Sequence, residues 1–491
     1  MAPADGRPAM ISPPISERWS SSWGLPLVCA SVLGAVLTMS GHPLLFILLL
    51  TAGLAYLALG VLSICSPLLL VSLLLLALEV LPPLYIGALG EAPLYPSFLL
   101  LPIVFAVFVV RLPDIRLKWE PVVRGMVAFL IGTALSIPFA FWFSGTSAGM
   151  GSLSRWILLA HTALIFCLIR GFAHEQSDRA ERSMFVLLFG GAVLAAVYGI
   201  VDFVWPLPIA HPAADQFVWL EDAVLRRAQG PFYESSNFGN FCGFFLIAGS
   251  VALFARRERD LGLPRAVLVV FISVLSLAVL VAFSRSVWAS ILAALLASLM
   301  LTRSSRLPRI AGVIAAVLIP LWFVWMFWPG LWEYLVSARL GRLWQLLDDP
   351  NYATSGRFDT WVRVVSIMRD QPQYLLMGIG YKTLPVTRLF HGEIVTDNGY
   401  LSLLLETGIA GLAGFALFSS AILRVFFRLA RSARGIPSFW GTVLFSIWCG
   451  ELVLLLAADA LTYWRNMAIF AGLVALTLNI SERRERSSGG P

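Results

Sequence analysis

Long apolar runs separated by short polar segments fill most of this 491-residue chain. A helix needs about 20 mostly apolar residues to cross a bilayer, and about fourteen runs approach that length. The pattern therefore predicts an all-α, polytopic transmembrane helical protein of about 12–14 spans. The candidate spans centre on Ala30–Thr38, Leu44–Leu62, Leu68–Ile86, Phe98–Val110, Val122–Phe143, Trp156–Ile169, Met184–Trp205, Phe238–Phe254, Val267–Phe283, Val287–Leu301, Ile310–Phe327, Tyr400–Phe426, Gly441–Ala458 and Met467–Ile480.

Lys and Arg residues cluster in short segments that recur after every second span. Cytoplasmic loops carry an excess of these residues, so the clusters predict an orientation with both termini in the cytoplasm. The clusters lie in residues 111–124, 170–182, 256–265, 303–309, 424–434 and 483–486. Two long segments, 206–236 and 328–397, then face the opposite side.

The same reading divides the chain into seven parts. They are a disordered cytoplasmic tail (1–22), N-terminal transmembrane helices (23–205), an outward loop (206–236), helices carrying a Ser-Arg motif (237–327), a large outward loop (328–397), C-terminal helices (398–480) and a cytoplasmic tail (481–491).

Composition agrees with this class of protein. Hydrophobic residues make up 59% of the chain and charged residues 13%, against about 45–50% and about 25% in soluble domains. The net charge of +7 follows from the basic cytoplasmic segments, and no basic block with interleaved aromatics predicts a nucleic-acid partner. The five cysteines form no CxxC pair, so neither a disulfide framework nor a zinc site is indicated. No metal or cofactor is expected.

The large outward loop is unusually rich in charge for a membrane protein. Apolar residues at helical spacing in Leu331–Leu347 predict an interfacial helix. A second helix is expected over Asp359–Met368, with one side formed by Trp361, Val364, Val365 and Met368. Pro372 would end it. Its first-turn acid, Asp359, suits the positive end of the helix dipole.

Three polar groups of residues lie on the predicted outer side. The first runs from Arg226 to Asn237 and includes Arg227, Gly-Pro-Phe and Glu234. The second is Ser284-Arg285-Ser286, at a span boundary where an Arg often serves only as an anchor. The third combines Gly356–Trp361 with Thr396–Tyr400 in and after the large loop.

In this order, these groups resemble the O-antigen ligase and O-antigen polymerase superfamily of bacterial membrane glycosyltransferases. The resemblance runs from about Arg226 to Phe415. It rests on Gly-Pro-Phe before a span, Ser-Arg-Ser at a span end, Arg-x-x-x-Trp and Met377–Tyr381 in the loop, then Asp-Asn-Gly-Tyr-Leu and Glu406–Gly411.

The resemblance implies a metal-independent enzyme of the bacterial inner membrane with its site facing the periplasm. The donor would be a glycan on undecaprenyl diphosphate, and the acceptor a saccharide or glycolipid hydroxyl. The essential arginines of the family correspond here to Arg285 and Arg357, which would bind the diphosphate, since a guanidinium pairs with phosphate oxygens and stays charged. For Arg357, a salt bridge with Asp359 or Asp349 is the structural alternative. A regulator of chain length would be a further partner.

One position departs from the ligase pattern. Where that pattern has His-Asn, this chain has Asp397-Asn398. Asp397 is therefore a candidate catalytic base, beside His391, which could instead be a solvated loop histidine, and Glu234. Further candidate substrate-binding residues are Arg226, Arg227, Asn237, Asn398 and Tyr400.

The missing histidine favours polymerisation of lipid-linked O-antigen or exopolysaccharide repeats. The alternative is a ligase that attaches glycan to lipid A-core of lipopolysaccharide. A transporter or flippase for lipid-linked saccharides is a third hypothesis, but it predicts internal repeats, which the sequence lacks. Asp459 and Arg465 either pair with each other, which we favour, or line the site.

Overall fold

Helices account for nearly all the secondary structure in the computed structural model. The structure describes residues 59–60, 67–81, 87–89, 92–94, 100–173, 177–205, 216–219, 224–255, 263–302, 322, 325–326, 329–334, 351, 354, 356–387, 389–390, 394–433 and 435–487. The elements below all belong to one unit, residues 67–491.

The α-helices of the described residues are numbered in chain order. Those before residue 260 are α1 (Pro67–Val80), α2 (Leu101–Val110), α3 (Pro121–Ala134), α4 (Ile137–Gly171), α5 (Asp178–Val204) and α6 (Ser235–Phe254). Those after it are α7 (Arg265–Val281), α8 (Arg285–Leu301), α9 (Pro329–Tyr334), α10 (Arg357–Asp370), α11 (Gln373–Met377), α12 (Gly399–Ser432), α13 (Ile436–Leu454) and α14 (Trp464–Ser487).

Two small antiparallel hairpins, which the sequence did not indicate, lie in the connections. β1 (Gly87–Leu89) pairs with β2 (Ala92–Leu94), with Gly87 opposite Leu94. β3 (Phe217–Trp219) pairs with β4 (Val224–Arg226), with Phe217 opposite Arg226. Both hairpins are three residues long on each side and leave the helical class of the fold unchanged.

The predicted polytopic helical fold is confirmed. Within the described residues, α4, α5, α6, α12 and α13 are long and apolar enough to cross a membrane, and α1, α2, α3, α7 and α8 are shorter apolar helices. The predicted spans Ala30–Thr38, Leu44–Leu62 and Ile310–Phe327 lie wholly or mostly outside the described residues.

The predicted span Val122–Phe143 is divided in the structure. α3 ends at Ala134, and α4 begins at Ile137 with a proline in its first turn. Proline suits that position because it has no backbone N–H to leave unpaired and its fixed φ matches the helix. α4 then bends at Gly145 (φ 84°). Phe143, two residues before this bend, packs its ring edge-on against Tyr374.

The large loop has its own hydrophobic core. Val364 and Met368 of α10 pack there with residues from α11, the following turns and the start of α12: Tyr374, Ile379, Leu384, Phe390, Ile394 and Leu405. The helix predicted over Asp359–Met368 is confirmed. On its predicted apolar side Val364 and Met368 are buried, whereas Val365 is 52% exposed. Of the predicted helix Leu331–Leu347, only the part within α9 is described.

A break in α12 anchors this loop to the membrane helices. Gly408 adopts φ 66° inside α12, which releases two carbonyls of the preceding turn from helical pairing. The Ile379 N–H donates to Leu405 O (3.2 Å) and the Gly380 N–H to Glu406 O (2.9 Å). The Met377–Tyr381 motif thus docks by its backbone onto the Glu406–Gly411 motif.

Replacing Gly378 by alanine should destabilise the protein by about 2–5 kcal/mol. Gly378 has φ 71°, and a Cβ there would lie 2.3 Å from Glu406 O. A left-handed alanine costs about 1–2 kcal/mol, and the forced shift of the docked segment adds about 1–3 kcal/mol. The readout is the thermal midpoint in detergent.

Gly145→Ala is the matched control. Gly145 also has positive φ, but a Cβ there meets nothing within 4 Å, so only the backbone strain remains and a smaller loss is expected. Equal losses for the two variants would contradict the docking contact.

Ion pairs join several connections at the end of the bundle far from this loop. Arg170 Nε donates to Glu120 Oε1 (2.9 Å), and Arg170 Nη2 lies 2.7 Å from Glu482 Oε2. Glu482 also binds Lys118, and Arg483 binds Glu181. Three of the segments predicted to be cytoplasmic from their basic residues therefore share one end of the bundle.

Candidate active site

The Arg-x-x-x-Trp motif and the Thr396-Asp397 pair bind each other. Residues four apart lie on one face of a helix, and Arg357 and Trp361 use that face of α10 for adjacent acceptors. Arg357 Nε donates to Asp397 Oδ2 (2.9 Å), and Trp361 Nε1 donates to Thr396 O (2.7 Å). The ion-pair partner of Arg357 is thus a candidate base 40 residues away, while Asp359 accepts a hydrogen bond from Asn351.

Asp397 sits at a strained and well-anchored turn. Its φ is 43°, a region that few non-glycine residues adopt. The next residue, Asn398, caps α12 by accepting from the Tyr400 and Leu401 N–H groups (3.1 and 3.0 Å). Asn398 also donates to Leu456 O (3.1 Å). These bonds fix the carboxylate of Asp397 at the start of the helix.

A cavity of about 240 Å³ opens beside Asp397. Charged and hydroxyl side chains from distant parts of the chain line it. They are Arg155, Glu234, Lys382, Thr396, Asp397, Ser402, Glu406, Asp459, Thr462 and Tyr463. Leu384, Pro385, Ile394 and Val395 supply the apolar part of the wall. A polar cavity of this size is suited to a hydroxylated substrate.

Glu234 brings the first predicted group of residues to this cavity. It precedes α6, and burial raises the pKa of its carboxyl; the negative charges of Asp397 and Asp459 raise this pKa further, and Arg227 lowers it. Tyr463 hydrogen-bonds to Ser236, and burial raises the pKa of its hydroxyl, as does the charge of Glu234. The candidates Glu234 and Asp397 therefore act on one another electrostatically.

Arg227 connects this group with the turn before α8. Arg227 Nε donates to Ala282 O (3.1 Å), and the next residue, Ala228, donates its N–H to Val281 O (2.9 Å). That turn leads into Ser284 and then Arg285, the half-buried first residue of α8. Arg285 is not among the described residues that line the cavity.

The other candidate substrate-binding residues make contacts within the protein. Arg226 forms an ion pair with the buried Asp202 near the end of α5 (3.0 Å). Asn237 accepts a hydrogen bond from Asn466 through its backbone oxygen (3.1 Å). Tyr400 donates its hydroxyl to Leu452 O (2.8 Å). Their roles toward substrate stay predictions. His391 lies outside the described residues.

Residues 267–416 match the family model described as O-antigen ligase. This part of the chain therefore carries an O-antigen ligase domain. No curated protein matches the chain. The O-antigen ligase match ends within one residue of the predicted limit, Phe415, but it begins after the Arg226–Asn237 segment.

The O-antigen ligase domain supplies only part of the cavity. Arg285, Arg357, Lys382, Asp397 and Glu406 lie within the matched residues. Glu234 precedes the match, as does Arg155, while Asp459, Thr462 and Tyr463 follow it. Helices on both sides of the domain thus complete the cavity wall.

Lys382 is the main lining residue that the sequence analysis did not select. Its ammonium donates to Asp459, so the ion pair of Asp459 is with Lys382, whereas Arg465 donates to Leu81 O and Pro231 O (3.2 and 2.7 Å). One signal was available in the sequence: only two of its 35 basic residues are lysines, Lys118 and Lys382.

Proposed function

We propose that this protein transfers a glycan from an undecaprenyl-diphosphate lipid to the hydroxyl of an acceptor saccharide, and that it polymerises O-antigen or exopolysaccharide repeats. The observation that carries the proposal is the contact between Arg357 and Asp397 at a polar cavity in an O-antigen ligase domain. This contact places a guanidinium, which is suited to binding phosphate, next to a carboxylate that can take a proton.

The reaction breaks the bond between the anomeric carbon and the diphosphate oxygen. The acceptor hydroxyl oxygen forms the new bond to that carbon, and its proton passes to the Asp397 carboxylate. The electron pair of the broken bond leaves on the lipid diphosphate, whose added negative charge requires cations. Among the described residues, Arg357 bonds to Asp397 through Nε, which leaves its two terminal nitrogens for phosphate oxygens.

Arg285 is the second proposed diphosphate ligand. It begins α8, so it is placed where the helix N-terminus itself favours an anion. Its turn carries Ala282, to which Arg227 is bonded, and Arg227 in turn acts on Glu234. We propose that the diphosphate lies between Arg285 and Arg357, with the sugar toward the cavity.

The site is proposed to face the periplasm. The end of the bundle that carries Arg170, Lys118 and Arg483 would be cytoplasmic by the positive-inside rule, and the cavity lies toward the opposite ends of α6, α12 and α14. A lipid-linked glycan in the outer leaflet would then reach the cavity from the bilayer.

The purified protein with a lipid-linked oligosaccharide tests the proposal. A ladder of lengthened lipid-linked glycans is expected, and the absence of any transferred glycan with donor and acceptor present would contradict it. Ligation to lipid A-core is the second candidate, which the O-antigen ligase description of the matched family favours. It would give one product, and only when that acceptor is added.

Transfer should continue in excess EDTA. The proposed site uses guanidinium groups where many phosphate-handling enzymes use Mg²⁺, so chelation should leave the initial rate unchanged within about twofold. Initial rates with EDTA and with added Mg²⁺ provide the comparison. Full loss of activity that returns with Mg²⁺ would show that a metal supplies the charge instead.

A further inference from the structure

The buried Lys382 lies between two carboxyl groups that line the cavity, those of Glu406 and Asp459. We call these three residues the floor of the cavity. Lys382 is 4% exposed, and its backbone oxygen accepts a hydrogen bond from Arg155. Burial lowers the pKa of its ammonium, but the nearby Asp459 and Glu406 carboxylates outweigh burial and raise the pKa. An ammonium has three N–H donors, and the structure assigns one of them, to Asp459.

Two carboxylate oxygens on the same floor lack a hydrogen-bond partner among the described residues. They are Glu406 Oε2 and Asp459 Oδ1, and both are buried. Glu406 is only 1% exposed and is held in place because its other oxygen accepts from the Leu384 N–H (3.0 Å). Glu406 Oε2 lies 3.8 Å from Lys382 Nζ, which is too long for a direct hydrogen bond.

These two carboxylate oxygens destabilise the folded protein until a ligand or a water molecule donates a hydrogen bond to them. A buried acceptor without a partner is unfavourable because it has lost its hydrogen bonds to water. The cavity of about 240 Å³ has far more room than a single water molecule needs. The floor therefore offers donors on Lys382 and acceptors on Glu406 and Asp459 to a larger polar ligand.

The charge of the floor limits what that ligand can be. Lys382 contributes a positively charged ammonium, while Glu406 and Asp459 contribute two carboxyl groups that face it. A diphosphate would meet these carboxylates at close range, which is unfavourable. A pair of neighbouring hydroxyls fits better, because each hydroxyl can accept from the ammonium and donate to a carboxylate.

We propose that Lys382, Glu406 and Asp459 form a subsite for a neutral sugar ring that presents adjacent hydroxyls. The subsite rests on the proposed glycan transfer. It would select the sugar, whereas the arginines would bind the diphosphate. The ring could belong to the donor glycan next to the diphosphate or to the end of the acceptor, and the chemistry of recognition is the same for both.

Substrates lacking single hydroxyls test the subsite. Donor glycans and acceptor oligosaccharides, each deoxygenated at one hydroxyl of the reacting sugar, are compared in wild type and Glu406→Gln. In wild type, removal of the bound hydroxyl should raise KM about 10- to 100-fold, the usual effect of losing a hydrogen bond to a charged group. An effect on donor analogues assigns the ring to the donor, and an effect on acceptor analogues assigns it to the acceptor.

Glu406→Gln separates recognition from structure. The glutamine carbonyl can still accept from the Leu384 N–H, but the second carboxylate oxygen is gone. KM for the normal sugar should rise about tenfold or more with little change in kcat, and the variant should no longer discriminate against the deoxygenated sugar. Glu485→Gln, an exposed change at the far end of α14, should behave as wild type.

Failure of the proposed subsite and failure of the proposed function would give different results. If wild type transfers glycan but wild type and Glu406→Gln discriminate equally among the analogues, the subsite is wrong and the proposed function stands. If wild type transfers no glycan from any lipid-linked donor, the proposed function itself is wrong. Lys382→Met is a second variant of the subsite. If it does not fold, the comparison of deoxygenated substrates in wild type still tests the subsite.

Discussion

Arg357→Ala should lower kcat for glycan transfer by about 10²- to 10³-fold, the usual cost of removing one preorganised group that stabilises charge in a transition state. Arg357 is proposed to meet the diphosphate as it leaves, so its effect should appear mainly in kcat. The arginine also binds Asp397 through Nε (2.9 Å), so its loss frees the proposed base as well. Steady-state rates of the purified variant provide the measurement.

Two variants on the same helix make this result specific. Arg369→Ala removes an equal charge from the exposed last turn of α10 and should keep wild-type rates. Arg357→Lys keeps the charge but loses the planar fork that pairs with phosphate, so an intermediate rate is expected. Wild-type activity in Arg357→Ala, with protein of normal thermal midpoint, would remove Arg357 from the site.

Asp397→Asn should lower kcat by about 10²- to 10⁴-fold, the range that general base catalysis supplies, while KM for the donor changes little. Asparagine tolerates the left-handed backbone at this position (φ 43°), and its carbonyl can still accept from Arg357. The variant therefore removes the proton acceptor, while the turn and the hydrogen bond from Arg357 remain. Steady-state kinetics of the purified variant, with donor and acceptor each varied, provide the measurement.

Other candidates for the base give opposite patterns. If His391→Ala abolishes transfer and Asp397→Asn does not, the base is the loop histidine. If Glu234→Gln alone abolishes it, the base is the half-buried Glu234 carboxyl near Arg227. Asp370→Asn, an exposed change at the end of α10, is the control for each series and should keep wild-type rates.

The helical fold was predictable because its signals are local. Apolar run length predicted the spans, and the spacing of Val364 and Met368 predicted α10, whose buried side these two residues form. The division of Val122–Phe143 was harder to predict. The residues there are apolar throughout, and the break depends on Pro138 and on the packing of Phe143 against Tyr374.

The motifs of the candidate site could be recognised in the sequence, but the contacts between their residues could not be predicted from it. Arg-x-x-x-Trp could be recognised in the sequence, but the choice between Asp359 and Asp397 as partner of Arg357 depends on how two segments 40 residues apart approach each other. Lys382 was missed for the same reason. Its importance arises from Asp459 and Glu406, which lie on helices or turns that only the fold brings to it.

The most direct test follows the leaving group and the new glycosidic bond together. Purified protein in nanodiscs is given a lipid-linked oligosaccharide, and free undecaprenyl diphosphate and lengthened glycan are measured over the same time course. The proposed function predicts one released undecaprenyl diphosphate for each new glycosidic bond in wild type, and neither product above background in Arg357→Ala. Release of the diphosphate without lengthened or transferred glycan, or equal transfer by Arg357→Ala, would contradict it.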